Sequence, residues 1–480
     1  MDVVHKSLNT FLCGVMGIIV ASSPTHAGGF SLYTESSIVA LGNYAAGISA
    51  EAADASIGWY NPAGLLLLDK QQVVLGGTGV LPNATLTGTT RYTTSNLVDP
   101  SGPPYVYNDS FTALQGGEKG FVPLFHYALP LNDRAAFGLS VVAPFGLSTN
   151  YPLSSPVRYA GTLSKFETLD VTPELAGKIT DHLLVGLGLD FEYARVTYNG
   201  VIGSPALMQS VDLPLTALDS QSNNSGNSFG IGFHSGFMLL FNEKHSRIGF
   251  NYQSAIAHQF DGSSKLVGPL ADPTLNVFTA NEADGSLSFT SNQLYTGDIE
   301  LPSIMTLSGY QDINNKFALL GSIVYTGWSS FRSITLNNIA VGLPDGDGNI
   351  SQRVTNVTTP QDYRNTWRFA VGLNYHVMQD WLVRFGGGYD QTPTIDANRD
   401  VRLPDTDRWA LSIGTHYQLF KRVGLDAGYT YLFADQSAMI NKTTPIGSLD
   451  HFNVNATGKV NAQLAGLQVV WTIDGESPSK

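Results

Sequence analysis

Apolar and polar residues alternate along most of this chain. The clearest stretch, "HLLVGLGLDFEYARVTY" (182–198), places Leu189 and Phe191 on one face and Asp190 and Glu192 on the other. A period of two is typical of a β-strand whose two faces meet different surroundings. The strand fits a soluble sandwich, with its apolar face in the core, or a membrane barrel, with that face toward lipid.

Fourteen segments of this kind follow one another from Gln71 onward. Each is long enough for a strand, and no segment has the period of a helix. They lie near residues 71–89, 119–130, 134–147, 164–179, 182–199, 226–241, 245–260, 299–312, 315–334, 362–377, 380–391, 405–420, 422–435 and 458–473.

Short and long connections alternate between these segments. A transmembrane barrel has short periplasmic turns, long extracellular loops and an even number of strands, whereas a Greek-key sandwich has no reason to keep this rhythm. The pattern therefore predicts an all-β protein, a 14-stranded antiparallel transmembrane β-barrel. The short connections are 130–133, 180–182, 242–244, 313–315, 378–379 and 421–422, and the long polar ones lie near 90–118, 200–225, 261–298, 335–361 and 436–457.

The polar faces and the tryptophans agree with a barrel. Carboxylates such as Asp190 and Glu192 would be costly in a dry core but fit a polar lumen. Closing the sheet also satisfies every backbone group, so that no edge meets lipid. Five tryptophans near strand ends are predicted to form the aromatic girdles of such a barrel. They are Trp328, Trp367, Trp381, Trp409 and Trp471.

Composition narrows the class further. Charged residues make up 14% of the 480 residues, against about 25% in typical soluble domains. The net charge of −13 argues against nucleic acid as a partner. Beyond residue 27 there is no run of about 18 apolar residues that would span a bilayer as a helix.

The first residues are typical of an export signal. Lys6 precedes the apolar run 11–21, and "THA" (25–27) offers small residues at a cleavage site. We therefore predict a signal peptide over 1–27 and a multi-pass protein of the outer membrane of a Gram-negative bacterium. The only cysteine, Cys13, lies in that peptide, so the mature chain would have none.

Residues 28–70 do not alternate and are rich in glycine, alanine and serine. The segment contains "NPAG", where Pro62 pushes Asn61 out of the helical region and favours a turn. Because so short a segment cannot support a core of its own, we predict that it lies inside the lumen as a plug, or hatch. The barrel would then span 71–473, and residues 474–480 would form a periplasmic tail.

Six stretches have a distinctive sequence: "GGFSLYTESSIVALGNYAAG", "DASIGWYNPAGL", "VAPFGLSTNY", "LPSIMTLSGYQ", "VYTGWSSF" and "NRDVRLPDTDRWALSIGTHYQL". In this order and combination they resemble the FadL family of outer-membrane transporters for long-chain fatty acids and other hydrophobic compounds. Together they extend from the hatch to the twelfth strand. The resemblance implies a hatch-filled barrel of fourteen strands and passive uptake through an opening in the barrel wall.

The third strand contains a candidate for that opening. Pro144 lacks a ladder donor and Gly146 weakens the strand, so "APFG" predicts a kink. The resemblance implies that an inward kink of this strand opens a lateral gap near the hatch "NPA"; an ordinary bulge and an N-terminal turn are the alternative. The predicted residues are Asn61, Pro62 and Ala63 in the hatch and Pro144, Phe145 and Gly146 in the wall.

Ligand contacts are predicted at both ends of a lipid-like molecule. Fatty-acid members of the family use basic residues near the lumen, and Arg195 and Arg364 are the nearest candidates here, although parity puts Arg195 on the apolar face. Gly200 and Thr359 stand where such members would carry a cation, which keeps uncharged hydrocarbons open as ligands. The apolar candidates, which could equally be hatch packing, are Phe30, Leu32 and Tyr33.

Other chemistry finds no support in the sequence. "DGDGN" (345–349) lacks the later ligands of a calcium loop, the histidines have no metal spacing, and no hydrolase or nucleotide motif occurs. We therefore predict no enzyme, no metal and no cofactor, but a monomeric passive channel whose partners are a hydrophobic small molecule and outer-membrane lipid. Long-chain fatty acids are the first candidate and aromatic or aliphatic hydrocarbons the second; a surface adhesin and a general diffusion porin are the rival classes.

Overall fold

The computed structural model describes residues 30–96, 101–278, 285–345, 347–446 and 450–473, so the predicted signal peptide and C-terminal tail lie outside the described residues. Fourteen antiparallel strands form a closed barrel, and the last strand pairs with the first from Gln71–Ile473 to Thr94–Asp450. The strands are β1 (Gln71–Thr94), β2 (Gly120–Asn132), β3 (Ala135–Val142), β4 (Leu163–Lys178), β5 (Leu183–Tyr198), β6 (Ser220–Phe241), β7 (Ser246–Gln253), β8 (Ile304–Asp312), β9 (Phe317–Thr326), β10 (Thr366–Met378), β11 (Trp381–Asp390), β12 (Arg408–Phe420), β13 (Val423–Ala434) and β14 (Asp450–Ile473).

Each of these strands coincides with one of the fourteen predicted segments, and the predicted fold class is confirmed. Further strands lie between these fourteen. Gly146–Asn150 continues the third strand, Ile256–His258 and Ile299–Leu301 form a separate two-stranded sheet, and others extend the wall at the end of the long loops. These strands are Tyr105–Gln115, Gly146–Asn150, Gly200–Ile202, Ile256–His258, Asp261–Val267, Ser288–Thr296, Ile299–Leu301, Ser333–Pro344, Ile350–Pro360 and Ala438–Ile446.

The sheet is apolar on its outside. In β5, Leu189 exposes 46% of its surface on the outer face, whereas Asp190 exposes 4% and Glu192 0% on the lumen face. The carboxylates therefore lie inside the barrel, as the alternation predicted. No helix in the described part of the chain is long and apolar enough to cross a membrane.

Four of the five girdle tryptophans lie on the outer face near strand ends, as predicted. The prediction was wrong for Trp328, which is 1% exposed. It belongs to the short 3-10 helix Trp328–Ser330 after β9, and its ring lies 4.7 Å from that of Phe30 inside the lumen. The alternation of faces holds only within the strand. For a residue just beyond a strand end, such as Trp328, it therefore does not predict whether the side chain points outward or into the lumen.

Residues 30–70 lie inside the barrel as a set of short helices packed against the wall. Side-chain capping by Ser37, which accepts a hydrogen bond from the Val39 amide, begins the first of them. Contact with the wall is close: a Cβ on Gly42 would lie 2.9 Å from the Cα of Gly414 in β12. The helices are α1 (Ile38–Asn43), α2 (Ile48–Glu51), α3 (Ile57–Tyr60) and the 3-10 helix Pro62–Leu67.

Polar side chains of the wall complete the hydrogen bonding of these helices. The amide of Gly47 donates to Ser322 Oγ at 2.8 Å, that of Ser49 to Ser308 Oγ at 3.1 Å, and that of Ile38 to Gln468 Oε1 at 3.1 Å. Helices this short leave most of their terminal N–H groups without internal partners. The polar lumen face of the barrel therefore provides hydrogen-bond partners for the hatch.

The apolar outer face of the barrel can be tested by replacing leucine with arginine at two different depths in the membrane. Leu189→Arg, in the middle of β5, should lower the free energy of unfolding in lipid vesicles by about 2–4 kcal/mol, because a cation near the bilayer midplane loses its hydration. Leu419→Arg, next to the short turn after β12, should cost only about 0–1 kcal/mol. Urea titration measures both, and equal losses would contradict the assigned membrane depth.

Candidate functional site

The wall is interrupted between β2 and β3. Their pairing runs outward as far as Phe125 opposite Val141, and β3 ends at Val142. Residues 120–124 of β2 continue to pair with β1, but in the described part of the chain they have no ladder partner on the β3 side. Farther out, an isolated bridge between Gly117 and Thr149 joins the two sides again. The gap between these limits is called the window below.

The window coincides with "APFG". After Val142 the chain leaves the ladder, and strand structure resumes only at Gly146–Asn150, which pairs with β4. Pro144, without an N–H, is at the break. The predicted residues Pro144 and Phe145 therefore interrupt the third strand, and Gly146 begins its continuation.

The start of the hatch fills the place of the missing ladder. The Leu32 amide donates to the Pro144 carbonyl at 2.8 Å, and the Gly146 amide donates to the Phe30 carbonyl at 2.8 Å. The Leu32 side chain packs between Val122 of β2 and Ala143. Residues 30–32 thus satisfy the kinked backbone and cover the window from inside.

The "NPA" turn is fixed by its first residue. Asn61 accepts a hydrogen bond from the Ala63 amide at 3.2 Å and so caps the 3-10 helix, with Pro62 in the first helical position. The Asn61 Nδ2 group donates to the carbonyls of Ser49 at 2.8 Å and Phe237 at 3.0 Å. One side chain therefore joins two hatch helices to β6.

Two facing glycines make room for this turn. Gly186 of β5 pairs with Gly236 of β6. A Cβ on Gly186 would lie 2.4 Å from the Ala63 nitrogen, and one on Gly236 would lie 2.3 Å from Asn61 Oδ1. The turn thus lies against β5 and β6, whereas the direct backbone partners of the kink are Phe30 and Leu32.

An apolar cavity lies above the hatch, toward the outer loops. Phe30, one of the three predicted apolar contacts, forms part of its floor; Leu32 is at the window, and the Tyr33 hydroxyl bonds to Thr306 Oγ1 at 2.7 Å. Burial raises the pKa of the Tyr363 hydroxyl well above its usual range, so this group is neutral. The lining residues are Phe30, Leu147, Ser164, Lys165, Phe166, Val196, Thr197, Tyr198, Ile299, Phe331, Ile334, Gln361, Tyr363, Asp400, Arg402 and Leu403.

Arg402 is the cation that the sequence analysis missed. Its guanidinium lies 3.5 Å from the centroid of the Tyr198 ring, and its Nη2 atom is 3.6 Å from where Gly200 would carry a Cβ. It donates to the carbonyls of Ala160 at 3.0 Å and Asn199 at 2.8 Å and to Ser164 Oγ at 2.6 Å. These acceptors are uncharged, so they orient the guanidinium without neutralising it.

A second cation borders the same cavity. Lys165 Nζ is paired with Glu167 Oε1 at 2.7 Å, and its side chain is partly exposed. Such a half-exposed pair is weak and can exchange partners. Together with Arg402, it brings two cations to an otherwise apolar cavity, whose lining also includes the carboxylate of Asp400.

The two predicted arginines lie elsewhere. Arg195 is exposed on the same outer face of β5 as Tyr193, in agreement with its parity. Arg364 is half exposed and bound to Asp407 at 2.9 Å and to the Thr392 carbonyl. Neither is among the described residues that line the cavity.

Comparisons of the sequence with a family model and with known proteins agree on one family. The sequence model of the family described as outer membrane protein transport protein (OMPP1/FadL/TodX) matches residues 18–472. The chain is 26% identical over 446 residues to the long-chain fatty acid transport protein of Salmonella typhi, covering 91% of this chain and 94% of that protein. It is also 26% identical over 466 residues to outer membrane protein P1 of Haemophilus influenzae, covering 93% and 94%.

Solved structures show the same fold. A FadL homologue of Pseudomonas aeruginosa superimposes with a TM-score of 0.75 at 23% identity, over 93% of this chain and all (100%) of that one. The toluene transporter TodX of Pseudomonas putida superimposes with a TM-score of 0.63 at 15% identity, over 93% and 100%.

The contact of the "NPA" turn with β5 can be tested by placing a side chain at Gly186, where the turn now lies. Gly186→Val should lower the free energy of unfolding by about 1–3 kcal/mol, because the new side chain would overlap the 3-10 helix at Ala63. Gly309→Val in β8 is the matched control, since a Cβ there meets no atom within 4 Å. Thermal unfolding in detergent compares them, and equal midpoints would show that the turn does not lie against β5.

Proposed function

Because the chain belongs to the OMPP1/FadL/TodX family of outer-membrane transport proteins, we propose that it carries long-chain fatty acids passively across the outer membrane. In this proposal the ligand binds in the apolar cavity and leaves sideways into the lipid through the window at the third strand. No energy source is required, because the ligand moves down its own gradient.

The observation that carries this proposal is the link between the cavity and the window. Phe30 forms part of the cavity floor, and its carbonyl accepts the hydrogen bond from Gly146 at the kink. A hydrophobic ligand gains about 25 cal/mol for each Å² of apolar surface it removes from water, so it gains from such a cavity and little from a water-filled pore. A small shift of residues 30–32 would join the cavity to the window.

Arg402 favours a ligand with an acidic head group. A guanidinium binds a carboxylate through charge-assisted hydrogen bonds, and three of the donors of this one are already held in fixed directions by neutral oxygens. A molecule with a long apolar chain and one carboxylate matches both the apolar wall and the cationic edge of the cavity. The fatty acid transport protein of Salmonella typhi is a relative over nearly the whole chain.

An uncharged hydrocarbon is the second candidate. Most of the cavity wall is apolar, including Phe30, Phe166 and Phe331, and this surface would hold an aromatic or aliphatic molecule without any head group. If Arg402 only supports the outer loops through Ala160 and Asn199, the cavity has no use for a carboxylate. Binding measurements on two ligands of equal chain length separate the candidates.

Arg402→Gln should weaken the binding of a long-chain fatty acid by about 1.5–3 kcal/mol, roughly ten- to a hundredfold in Kd, because a charge-assisted contact is lost. Binding of the fatty alcohol with the same chain should change little. Equilibrium binding to the purified protein in detergent measures both constants.

Arg353→Gln, on the exposed hairpin between Ser333 and Pro360, removes the same charge away from the cavity and is the control. Equal weakening of acid and alcohol by Arg402→Gln would mean that Arg402 only shapes the cavity, and unchanged binding of the acid would favour the hydrocarbon.

A further inference from the structure

A second, smaller chamber lies beside the kink, deeper in the barrel than the apolar cavity. Trp59 of the hatch and Pro144 and Phe145 of the kink form one side of it. The Phe145 ring lies 6.0 Å from that of Phe30 and 5.9 Å from that of Trp328. These three rings separate the chamber from the cavity above, so a ligand that moves from the cavity past the kink passes this chamber.

Three carboxyl groups also line the chamber: Asp170 of β4, and Asp190 and Glu192 of β5. Asp170 and Glu192 are cross-strand partners in the β4–β5 ladder. All three are buried, with exposures of 3%, 4% and 0% respectively. Their side chains share the lumen face of the two strands, so they form one acidic surface.

Two oxygens of this surface have no partner. Asp190 Oδ1 pairs with His234 Nδ1 at 2.7 Å, and Glu192 Oε1 pairs with His258 Nε2 at 2.9 Å. Among the described residues, however, Asp170 Oδ1 and Glu192 Oε2 are buried without a hydrogen-bond partner. A buried acceptor without a donor is costly, and both of these residues belong to the lining of the chamber.

The charged groups of the two spaces differ. The upper cavity is bordered by two cations, Arg402 and Lys165, and by one carboxylate, Asp400. The lower chamber is lined by the carboxyl groups of Asp170, Asp190 and Glu192 and, among the described residues, by no lysine or arginine; His234 and His258 pair with two of the three carboxyl groups. A bound carboxylate is attracted in the first space and repelled in the second.

We propose that the lower chamber is a charge filter on the release path, and that Asp170 and Glu192 admit only head groups without a negative charge. An alcohol or a protonated carboxylic acid can donate its O–H to the free oxygens, whereas a carboxylate has only acceptors to offer. A fatty acid would thus pass the kink as the neutral acid, and a neutral amphiphile of equal chain length would pass faster. The inference rests on the proposed release through the window.

A structural role in holding the hatch accounts for only one of the three carboxyl groups, that of Asp190. Asp190 orients His234, whose Nε2 atom lies 3.3 Å from the Gly58 carbonyl of the hatch. Asp190 therefore has a structural task that the unpartnered oxygens of Asp170 and Glu192 lack. For this reason the test changes only the latter two residues and leaves the contact between His234 and the hatch intact.

The test uses the full-length protein in a Gram-negative strain that lacks a transporter of this family. Initial uptake rates of labelled oleate and oleyl alcohol are measured with the wild type, with Asp170→Asn/Glu192→Gln, and with Asp181→Asn. The last variant removes a carboxylate that is exposed in the turn between β4 and β5. The amides keep the shape of the side chains while removing two acidic groups.

In the wild type, oleyl alcohol should enter faster than oleate. The double variant should raise the ratio of the oleate rate to the alcohol rate by about fivefold or more, since one like charge at 4 Å costs about 1 kcal/mol even in water. Its Kd for oleate in detergent should stay that of the wild type, because the cavity above is unchanged. Asp181→Asn should leave the ratio unchanged.

The two proposals fail in different ways. If both ligands enter through the wild type but the double variant leaves their ratio unchanged, the charge filter is wrong and the proposed function stands. If oleate enters faster than the alcohol through the wild-type protein, the charge filter is also wrong. This outcome does not depend on whether any variant folds. If neither ligand enters faster with the protein than without it, the proposed function fails and the filter with it.

Discussion

Every backbone N–H and C=O group of a strand in lipid must find its partner within the protein, because the bilayer offers none. The ladder from β1 to β14 is interrupted at the window, where Pro144 breaks the third strand. On the side of the kink, the hatch supplies the missing partners through the hydrogen bonds of Phe30 and Leu32. The kink, the hatch and the window are therefore one structural device: the break in the wall is stable only while residues 30–32 lie against it.

The same requirement explains the composition of the lumen face. Short hatch helices need donors and acceptors from the wall, which Ser308, Ser322 and Gln468 supply. They also need close approach, which the paired glycines Gly186 and Gly236 allow. The wall thus supplies the hatch with both polar partners and close approach. Charged side chains of the interior pair with one another, as Arg368 does with Asp390, or stand beside cavities, as Arg402 and Asp170 do.

Much of the fold could be predicted because its information is local. Alternation along each strand and the rhythm of the connections define the barrel, and the parity of Asp190 places it in the lumen. The ligand cavity could not be predicted in this way. Arg402 reaches the space beside Gly200 from a loop more distant in sequence, and no local pattern connects the two. Trp328 likewise turns inward only because the chain leaves its strand.

Lateral release is tested most directly by closing the window. Ser31 and Phe145 are directly opposed in an antiparallel bridge, and cysteines there can be joined by a disulfide that holds the hatch against the window, in a mature chain expected to have no other thiol. A disulfide between Tyr127 and Leu139, paired in the intact part of the β2–β3 ladder, is the control. We predict that the oxidised Ser31→Cys/Phe145→Cys protein binds fatty acid but no longer transports it, and that reduction restores transport. Undiminished transport with the disulfide fully formed would contradict it.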